Sequence, residues 1–150
     1  MQPARMQPTV HATALVLATG AGPRGLLLTG EAGSGKSTLA LMLLEAWAAR
    51  GRFAMLVADD RVALEAVSGR LVARAPGALA GLIELRGLGI RRRDYLTKAR
   101  IHRHAELGAA PERLPEPRVA TFEGVAVPSL ALPDAARGFV TIEAWLQEGT

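Results

Sequence analysis

The segment of this sequence with the clearest chemistry is rich in glycine. Residues 30–37 read Gly-Glu-Ala-Gly-Ser-Gly-Lys-Ser, a complete match to the pattern G-x-x-x-x-G-K-[ST]. Glycines let the backbone curl so that successive N–H groups face one anion, and a helix starting near Lys36 directs its positive end to the same point. In this pattern the lysine reaches the β- and γ-phosphates of a nucleotide, and the Ser37 hydroxyl can ligate Mg²⁺. The predicted nucleotide-binding residues here are Gly30, Glu31, Ala32, Gly33, Ser34, Gly35, Lys36, Ser37 and Thr38.

Two adjacent acids follow the next apolar run. Residues 53–58 (Phe-Ala-Met-Leu-Val-Ala) are typical of a buried strand, and Asp59 and Asp60 come directly after it, 23 residues beyond Lys36. A carboxylate at such a strand end, beside a phosphate loop, can hold Mg²⁺ or accept a proton from an attacking hydroxyl. Adjacent strand residues point to opposite sides, so the two acids are expected to differ in role. The alternative is that both are turn residues, which Asp favours.

A second acidic motif lies at residues 84–90 (Glu-Leu-Arg-Gly-Leu-Gly-Ile). Glu84 and Arg86 are two residues apart, so on a strand they share one face. From there Glu84 can meet a metal ion and Arg86 a phosphate oxygen. An exposed ion pair explains the same spacing equally well.

Two other groups carry charge or metal-ligating nitrogen. His102 and His104 are spaced for one strand face, but the chain has no cysteine and no third ligand nearby, so a solvated strand face is expected rather than a metal site. Residues 91–93 are three consecutive arginines. They are either a docking patch for an acidic surface or part of a solvated loop.

The composition bounds the protein class. A chain of 150 residues with 49% hydrophobic and 21% charged residues is typical of one globular domain. Aromatic residues make up only 4%, too few for a nucleobase-stacking platform, so no nucleic-acid partner is expected. No apolar run approaches the length of a membrane helix and residues 1–10 lack a signal-peptide pattern, so a cytoplasmic location is expected. The net charge of +4 suits anionic ligands or an acidic partner.

The elements that must position these residues can be inferred from periodicity. Strands are predicted at residues 11–18, 26–29 and 53–58, and a turn at residues 19–25. Residues 36–49 have apolar side chains at helical spacing, and Gly51 lies where a helix ends. The predicted elements downstream are hairpins at residues 62–74 and 119–127, a short helix at residues 76–82, a strand at residues 99–105, a loop at residues 106–117 and a helix from Asp134 to Leu146.

Together these elements predict an α/β fold of the P-loop NTPase type. We expect one domain, residues 1–150, whose strand-rich sheet surrounds one long helix after the phosphate loop. Residues 1–10 are expected to be flexible.

The motifs in this order resemble the catalytic (C-terminal) domain of HPr kinase/phosphorylase, in a short form without the N-terminal domain. The resemblance covers residues 11–90: His11 at the head of the first strand, the loop at residues 30–37, Leu-Val-Ala-Asp-Asp at residues 56–60 and Ile-Glu-Leu-Arg-Gly-Leu-Gly-Ile at residues 83–90. Members of this family phosphorylate a serine of HPr, the phosphocarrier protein of the sugar phosphotransferase system.

The resemblance implies a role for each matched residue. The loop and Lys36 would hold the phosphates of ATP, and Ser37 and Glu84 would hold Mg²⁺ with Asp60 near it. Asp59 would be the general base in phosphorylation and the general acid in phosphorolysis, and His11 would lie beside Asp59. The resemblance also implies HPr as partner and a possible homo-oligomer, since larger members form rings.

The sequence departs from the family after residue 90. The Pro-Gly-Arg segment tied to phosphorolysis is absent, and its nearest counterpart is Pro-Asp-Ala-Ala-Arg at residues 133–137. Kinase activity is therefore better supported than phosphorolysis. A small-molecule kinase and a non-catalytic sensor of ATP or phosphate remain open as alternatives.

Overall fold

β-Strands make up close to half of the described chain, which comprises residues 9–110 and 117–148 of the computed structural model. The strands are β1 (Thr9–Thr19), β2 (Gly22–Thr29), β3 (Ala54–Ala58), β4 (Arg61–Val67), β5 (Arg70–Arg74), β6 (Leu82–Leu85), β7 (Gly89–Arg92), β8 (Ala99–Leu107), β9 (Arg118–Phe122) and β10 (Val125–Leu132). The helices are α1 (Lys36–Ala49) and α2 (Ala135–Gln147), with a 3₁₀ helix at Gly77–Leu79. The predicted strand-rich α/β domain is confirmed.

The main sheet curls until two of its strands meet. Strand β1 pairs antiparallel with β2 along one edge and with β3 and β4 along the other. The order continues through β5 to β8, and β8 in turn lies parallel to β2, which closes a ring of strands. β10 and β9 extend the sheet beyond β8, whereas β6 and β7 form a separate hairpin.

The curled sheet buries both of its faces. Leu26 and Leu28 of β2 pack in one core cluster together with Leu39 and Leu43 of α1. Leu27, between them in sequence, packs in a second cluster formed by the other face of the strands. Alternate side chains of a strand point to opposite faces, so the continuous apolar run of β2 reflects burial on both sides.

Both predicted long helices are present. Helix α1 has the predicted bounds and is followed by Gly51, whose φ of 68° is the left-handed conformation expected at a helix end. The Asp134 side chain caps α2 by accepting a hydrogen bond from the Arg137 amide at 2.8 Å.

Several predicted boundaries differ from the structure. The helix predicted at residues 76–82 is only the 3₁₀ turn, because Leu82 already belongs to β6. Glu106 and Leu107, predicted to lie in a loop, extend β8 and pair with β10. Thr9 and Val10, predicted to be flexible, pair with Ala63 and Val62 of β4. The rest of that prediction, residues 1–8, lies outside the described residues.

No helix in the described ranges has the length and apolar character needed to cross a membrane.

Candidate active site

Four segments meet at one cavity of about 300 Å³. They are the glycine-rich loop (residues 30–35) with the start of α1, the first residues of β1, the end of β3, and β6 with the turn that follows it. The cavity is lined by His11, Thr13, Ala32, Gly33, Gly35, Lys36, Ser37, Thr38, Asp59, Asp60, Glu84 and Arg86. The structure thus brings together most residues singled out from the sequence; Gly30, Glu31 and Ser34 belong to the loop but not to this lining, and Thr13 was not predicted.

The loop owes its tight curl to glycine. Gly30, Gly33 and Gly35 all have positive φ, a conformation that other residues adopt at a cost. At Gly30 a Cβ would also lie 2.6 Å from the carbonyl oxygen of Leu107 in β8. The loop is therefore held against β8 by a contact that tolerates no side chain.

Lys36 folds back over the loop that precedes it. Its Nζ donates to the carbonyl oxygens of Gly30 at 2.7 Å and Glu31 at 3.0 Å, and the residue is buried. Burial lowers the pKa of Lys36 from its usual value, and the charges of Asp59 and Asp60 oppose that shift. Both acids thus help to keep an ammonium group inside the loop.

Asp59 is a buried carboxylate held by three donors from three segments. Its Oδ1 accepts from the Thr13 hydroxyl of β1 and from the Ser37 hydroxyl of α1, each at 2.7 Å. Its Oδ2 accepts from the backbone amide of Glu84 in β6 at 3.2 Å. A carboxylate has about four acceptor positions, so one remains for a further donor.

Asp60 lines the same cavity but is exposed, whereas Asp59 is buried. The φ of Asp60, 69°, lies in the left-handed region, which Asp tolerates better than most residues. This turn separates the two carboxylates and leads the chain from β3 into β4.

His11 contacts Asp60, which corrects the expectation that it lies beside Asp59. Its Nδ1 is 2.9 Å from the Asp60 carbonyl oxygen and 3.3 Å from Asp60 Oδ1. The register of the antiparallel strands explains this difference. Thr13 lies next to Asp59, whereas His11, two residues earlier in β1, pairs with Arg61 and therefore lies next to Asp60. Thr13 therefore occupies the position beside Asp59 that His11 was expected to fill.

Glu84 and Arg86 approach the loop from the β6–β7 hairpin. Both side chains are exposed, and Arg86 Nη2 lies 3.6 Å from where a Cβ on Gly33 would be. The strand context assumed for Glu84 is confirmed, since β6 covers Leu82–Leu85. Arg86 follows the strand in the turn, with its guanidinium over the glycine-rich loop.

The donor set at this cavity fits a phosphate ligand with a hard cation. Backbone amides of the loop and the Lys36 ammonium suit phosphate oxygens, and the buried Ser34 hydroxyl has no partner among the described residues. The described residues contain no cluster of three or more His, Cys, Asp or Glu side chains able to hold a metal ion. Mg²⁺ is usually bound by one or two carboxylates together with phosphate oxygens, so the oxygens of Ser37, Asp59, Asp60 and Glu84 fit a cation that arrives with a nucleotide.

His102 and His104 do not form the solvated strand face expected from their spacing. His104 is buried, with its ring nitrogens 2.6 Å from the Thr29 hydroxyl and 2.7 Å from the Ser129 hydroxyl. The Nδ1 of His102 accepts the amide of Gly25 at 3.0 Å. The two rings bind different neighbours because the β2–β8 register shifts beside His102.

Residues 6–98 match the sequence profile described as the HPr Serine kinase C-terminal domain. The chain belongs to this family. Two curated relatives named HPr kinase/phosphorylase, from Clostridium tetani and Clostridium beijerinckii, are each 46% identical over 66 residues, which is 44% of this chain. The chain spans about a fifth of the length of these relatives, 20% in each case.

A solved structure extends the similarity to nearly the whole chain. The structure titled Hpr(Ser) kinase/phosphatase from Coxiella burnetii matches with a TM-score of 0.68 at 27% identity. The match covers 93% of this chain and 97% of the other. The similarity therefore extends beyond residue 98, where the match to the family profile ends.

Proposed function

We propose that this chain is a protein serine kinase that uses ATP and Mg²⁺, with the serine of HPr as its phosphoryl acceptor. The observation that carries the proposal is the hydrogen bond from the Ser37 hydroxyl to Asp59. Ser37 lies in the first turn of α1, directly after the phosphate-loop motif, so a buried carboxylate lies beside the predicted phosphate site. Membership in the HPr kinase family and the names of the relatives supply the acceptor. The proposal includes a P-loop NTPase-like fold around α1.

The phosphates of ATP would lie on the amides of residues 30–35, with Lys36 and Arg86 as their cations. Lys36 is buried at the loop, and Arg86 lies over Gly33. Ser37 and Glu84 would hold Mg²⁺, with Asp60 near it. Bound there, Mg²⁺ would neutralise charge that develops on the transferred phosphoryl group.

Asp59 would accept the proton of the serine hydroxyl. Thr13 and the Glu84 amide hold the carboxylate in place, and its remaining acceptor position is open to a substrate hydroxyl. The serine oxygen then forms a bond to the γ-phosphorus, the bond from that phosphorus to the β,γ-bridging oxygen breaks, and ADP leaves. In the reverse sense, with inorganic phosphate as acceptor, the protonated Asp59 would return the proton to serine and pyrophosphate would leave.

The test is intact-mass measurement of HPr from the same genome after incubation with this chain and Mg-ATP. We expect one phosphate adduct on a serine. Asp59→Asn should slow its formation by about 10²- to 10⁴-fold, the usual contribution of a general base, and should keep nucleotide affinity. Lys36→Ala should lose nucleotide affinity as well. Asp94→Asn, the same change at an exposed position outside the cavity, serves as the matched control.

Two outcomes would contradict the proposal. Absence of an adduct while ATP still binds would reject HPr as acceptor and favour a small-molecule kinase or a nucleotide sensor. Equal rates for Asp59→Asn and Asp94→Asn would remove Asp59 from the reaction. Incubating serine-phosphorylated HPr with inorganic phosphate, and measuring pyrophosphate, tests the reverse direction separately.

A further inference from the structure

A second cavity, of about 420 Å³, lies at the opposite edge of the sheet from the glycine-rich loop. Arg24 at the start of β2, Arg100 and Arg103 at the start of β8, and Trp145 near the end of α2 contribute to its wall. β2 runs from Arg24 towards the loop, and a rise of about 3.3 Å per residue separates the two ends by roughly 20 Å. The cavity is therefore not part of the candidate active site.

A β-bulge in β8 shapes this cavity. Gly25 pairs with Ile101 and Leu26 with Arg103, so His102 is an extra residue between them. Neighbouring residues of a regular strand point to opposite faces, but a bulge redirects one of them, and both His102 and Arg103 line the cavity. Bulges of this kind are common beside functional sites.

The absence of a side chain at Gly25 permits this arrangement. A Cβ on Gly25 would lie 1.9 Å from the carbonyl oxygen of Arg100, far inside van der Waals contact. The Gly25 amide also donates to His102 Nδ1 at 3.0 Å, which fixes the imidazole. Glycine thus lets β2 and β8 approach closely enough to bring arginines of both strands to one cavity.

Arg103 is held rigidly at the cavity wall. It is buried, its guanidinium carbon lies 4.8 Å from the centroid of the Trp145 ring, and its Nη1 donates to the Trp145 carbonyl oxygen at 2.5 Å. A guanidinium fixed in this way loses little rotamer entropy when it binds a ligand.

The charge of the lining is strongly positive. Among the described residues of the lining, three arginines and one carboxylate, Glu148, give a net charge of +2 with His102 neutral. Burial and the charges of Arg100 and Arg24 lower the pKa of His102 to about 4, so its imidazole is neutral at pH 7. Burial lowers the pKa of Arg103, and the charge of Glu148 opposes that shift.

We infer that this cavity binds a small anion that carries two or more carboxylate or phosphate groups. Guanidinium groups match the oxygens of both bidentately, and several that converge on a concave surface recognise more than one group. The volume falls within the usual range of small-molecule sites.

The test uses nuclear magnetic resonance of the full chain, labelled with ¹⁵N, during titration with citrate at constant ionic strength. The chain contains two tryptophans, so the indole N–H signals distinguish the cavity, at Trp145, from the core, at Trp47. Trp145→Phe assigns the signals. We expect saturable shifts at the Trp145 indole and the Gly25 amide, with the Trp47 indole unchanged.

Variants decide whether the arginines are responsible. Arg24→Gln with Arg100→Gln should weaken citrate binding at least about tenfold, as expected for loss of charge-assisted hydrogen bonds. Arg91→Gln, which removes one exposed charge outside this cavity, should change the affinity by less than about twofold. An unchanged spectrum elsewhere shows that each variant is folded.

A second titration with inorganic phosphate distinguishes the chemical source. Shifts at Gly25 and Trp145 report this cavity, whereas shifts at Gly33 report the glycine-rich loop, and Lys36→Ala should abolish only the latter. The inference fails if neither anion gives saturable shifts at Gly25 and Trp145, or if the double arginine variant binds as tightly as the wild type. Neither result depends on kinase activity.

Discussion

The Asp59 carboxylate accepts a hydrogen bond from Thr13, a residue that the sequence analysis did not single out. Thr13 is fully buried in β1 and donates to Asp59 Oδ1 at 2.7 Å. In the sequence it lies within an apolar, β-branched run, where threonine is an ordinary strand residue. The sequence did contain one signal for Thr13. It lies two residues after His11, so the two side chains share one face of β1, and both line the cavity that contains Asp59 and Asp60.

We predict that Thr13→Val will impair phosphoryl transfer by misplacing Asp59. Valine keeps the shape of threonine but removes the donor, so the carboxylate loses one of its three hydrogen bonds. Transfer should slow about tenfold or more with the KM for ATP unchanged, because the variant leaves the loop and Lys36 intact. The free energy of unfolding should fall by about 1–3 kcal/mol.

Thr13→Ser is the matched control for that change. It restores the hydroxyl and should restore the turnover number to within a few-fold of the wild type. Equal losses in the serine and valine variants would mean that packing of the Thr13 methyl group, and not the hydrogen bond, supports the site.

The residues of the loop could be predicted because one local pattern fixes both their chemistry and their geometry. The partner of His11 could not, because it depends on how β1, β3 and β4 align. If these strands were aligned one or two residues differently, the acid next to His11 would change from Asp60 to Asp59. The family resemblance placed His11 beside Asp59, whereas the structure places it against Asp60.

At the scale of elements, His104 links three neighbouring strands. Its ring lies between the Thr29 hydroxyl of β2 and the Ser129 hydroxyl of β10, while β8 carries the residue itself. Thr29 directly precedes the glycine-rich loop, so this buried contact fixes the end of the strand from which the loop departs. The lack of cysteine and of a third ligand favoured a solvated face, but β8 pairs with both β2 and β10, so residues of these two strands cover the His104 ring.

We predict that His104 makes the protein less stable at acidic pH. Burial and the charge of Arg118 lower its pKa to about 4, whereas histidine in an unfolded chain titrates near 6.5. Between these values the unfolded state binds a proton that the folded state does not, so the free energy of unfolding falls as the pH drops from 7 towards 4. At pH 5 the loss due to His104 should be on the order of 2 kcal/mol.

Urea unfolding at pH 7 and pH 5 measures this effect. His104→Gln should lose less stability between the two pH values than the wild type, whatever its stability at pH 7. His102 is present in both proteins, so its own titration cancels in the comparison. The same decrease in both proteins would show that His104 does not titrate as expected, and His104→Asn provides a second variant if the first folds poorly.

At the scale of the whole molecule, the closure of the sheet could not be predicted from the sequence. Periodicity predicted most strands and both long helices, since each element satisfies its own local pattern. The parallel pairing of β2 with β8 joins segments about 75 residues apart, such as Leu27 and His104, and no local pattern specifies it. That pairing is what creates the arginine-lined cavity at one edge while the loop occupies the other.

Helix α2 extends between these two edges. At its start, Ala135 Cβ lies 3.3 Å from where a Cβ on Gly35 would be, and near its end Trp145 packs on Arg103. Electrostatics alone cannot connect the edges: over roughly 20 Å, with a screening length of about 8 Å at physiological salt, a charge pair contributes less than about 0.1 kcal/mol. Any larger effect of one edge on the other must be mechanical.

We therefore predict that the cavity variants leave nucleotide binding unchanged. Calorimetric titration of the Arg24→Gln, Arg100→Gln double variant with a Mg²⁺ complex of a non-hydrolysable ATP analogue should give an affinity within about twofold of the wild type, as for independent sites. Lys36→Ala, measured alongside, should lose binding. A change of tenfold or more in the double variant would contradict independence and would require α2 to shift against Gly35 when the cavity changes. Citrate should then alter nucleotide affinity in the wild type, and by thermodynamic reciprocity the nucleotide should alter citrate affinity by the same factor.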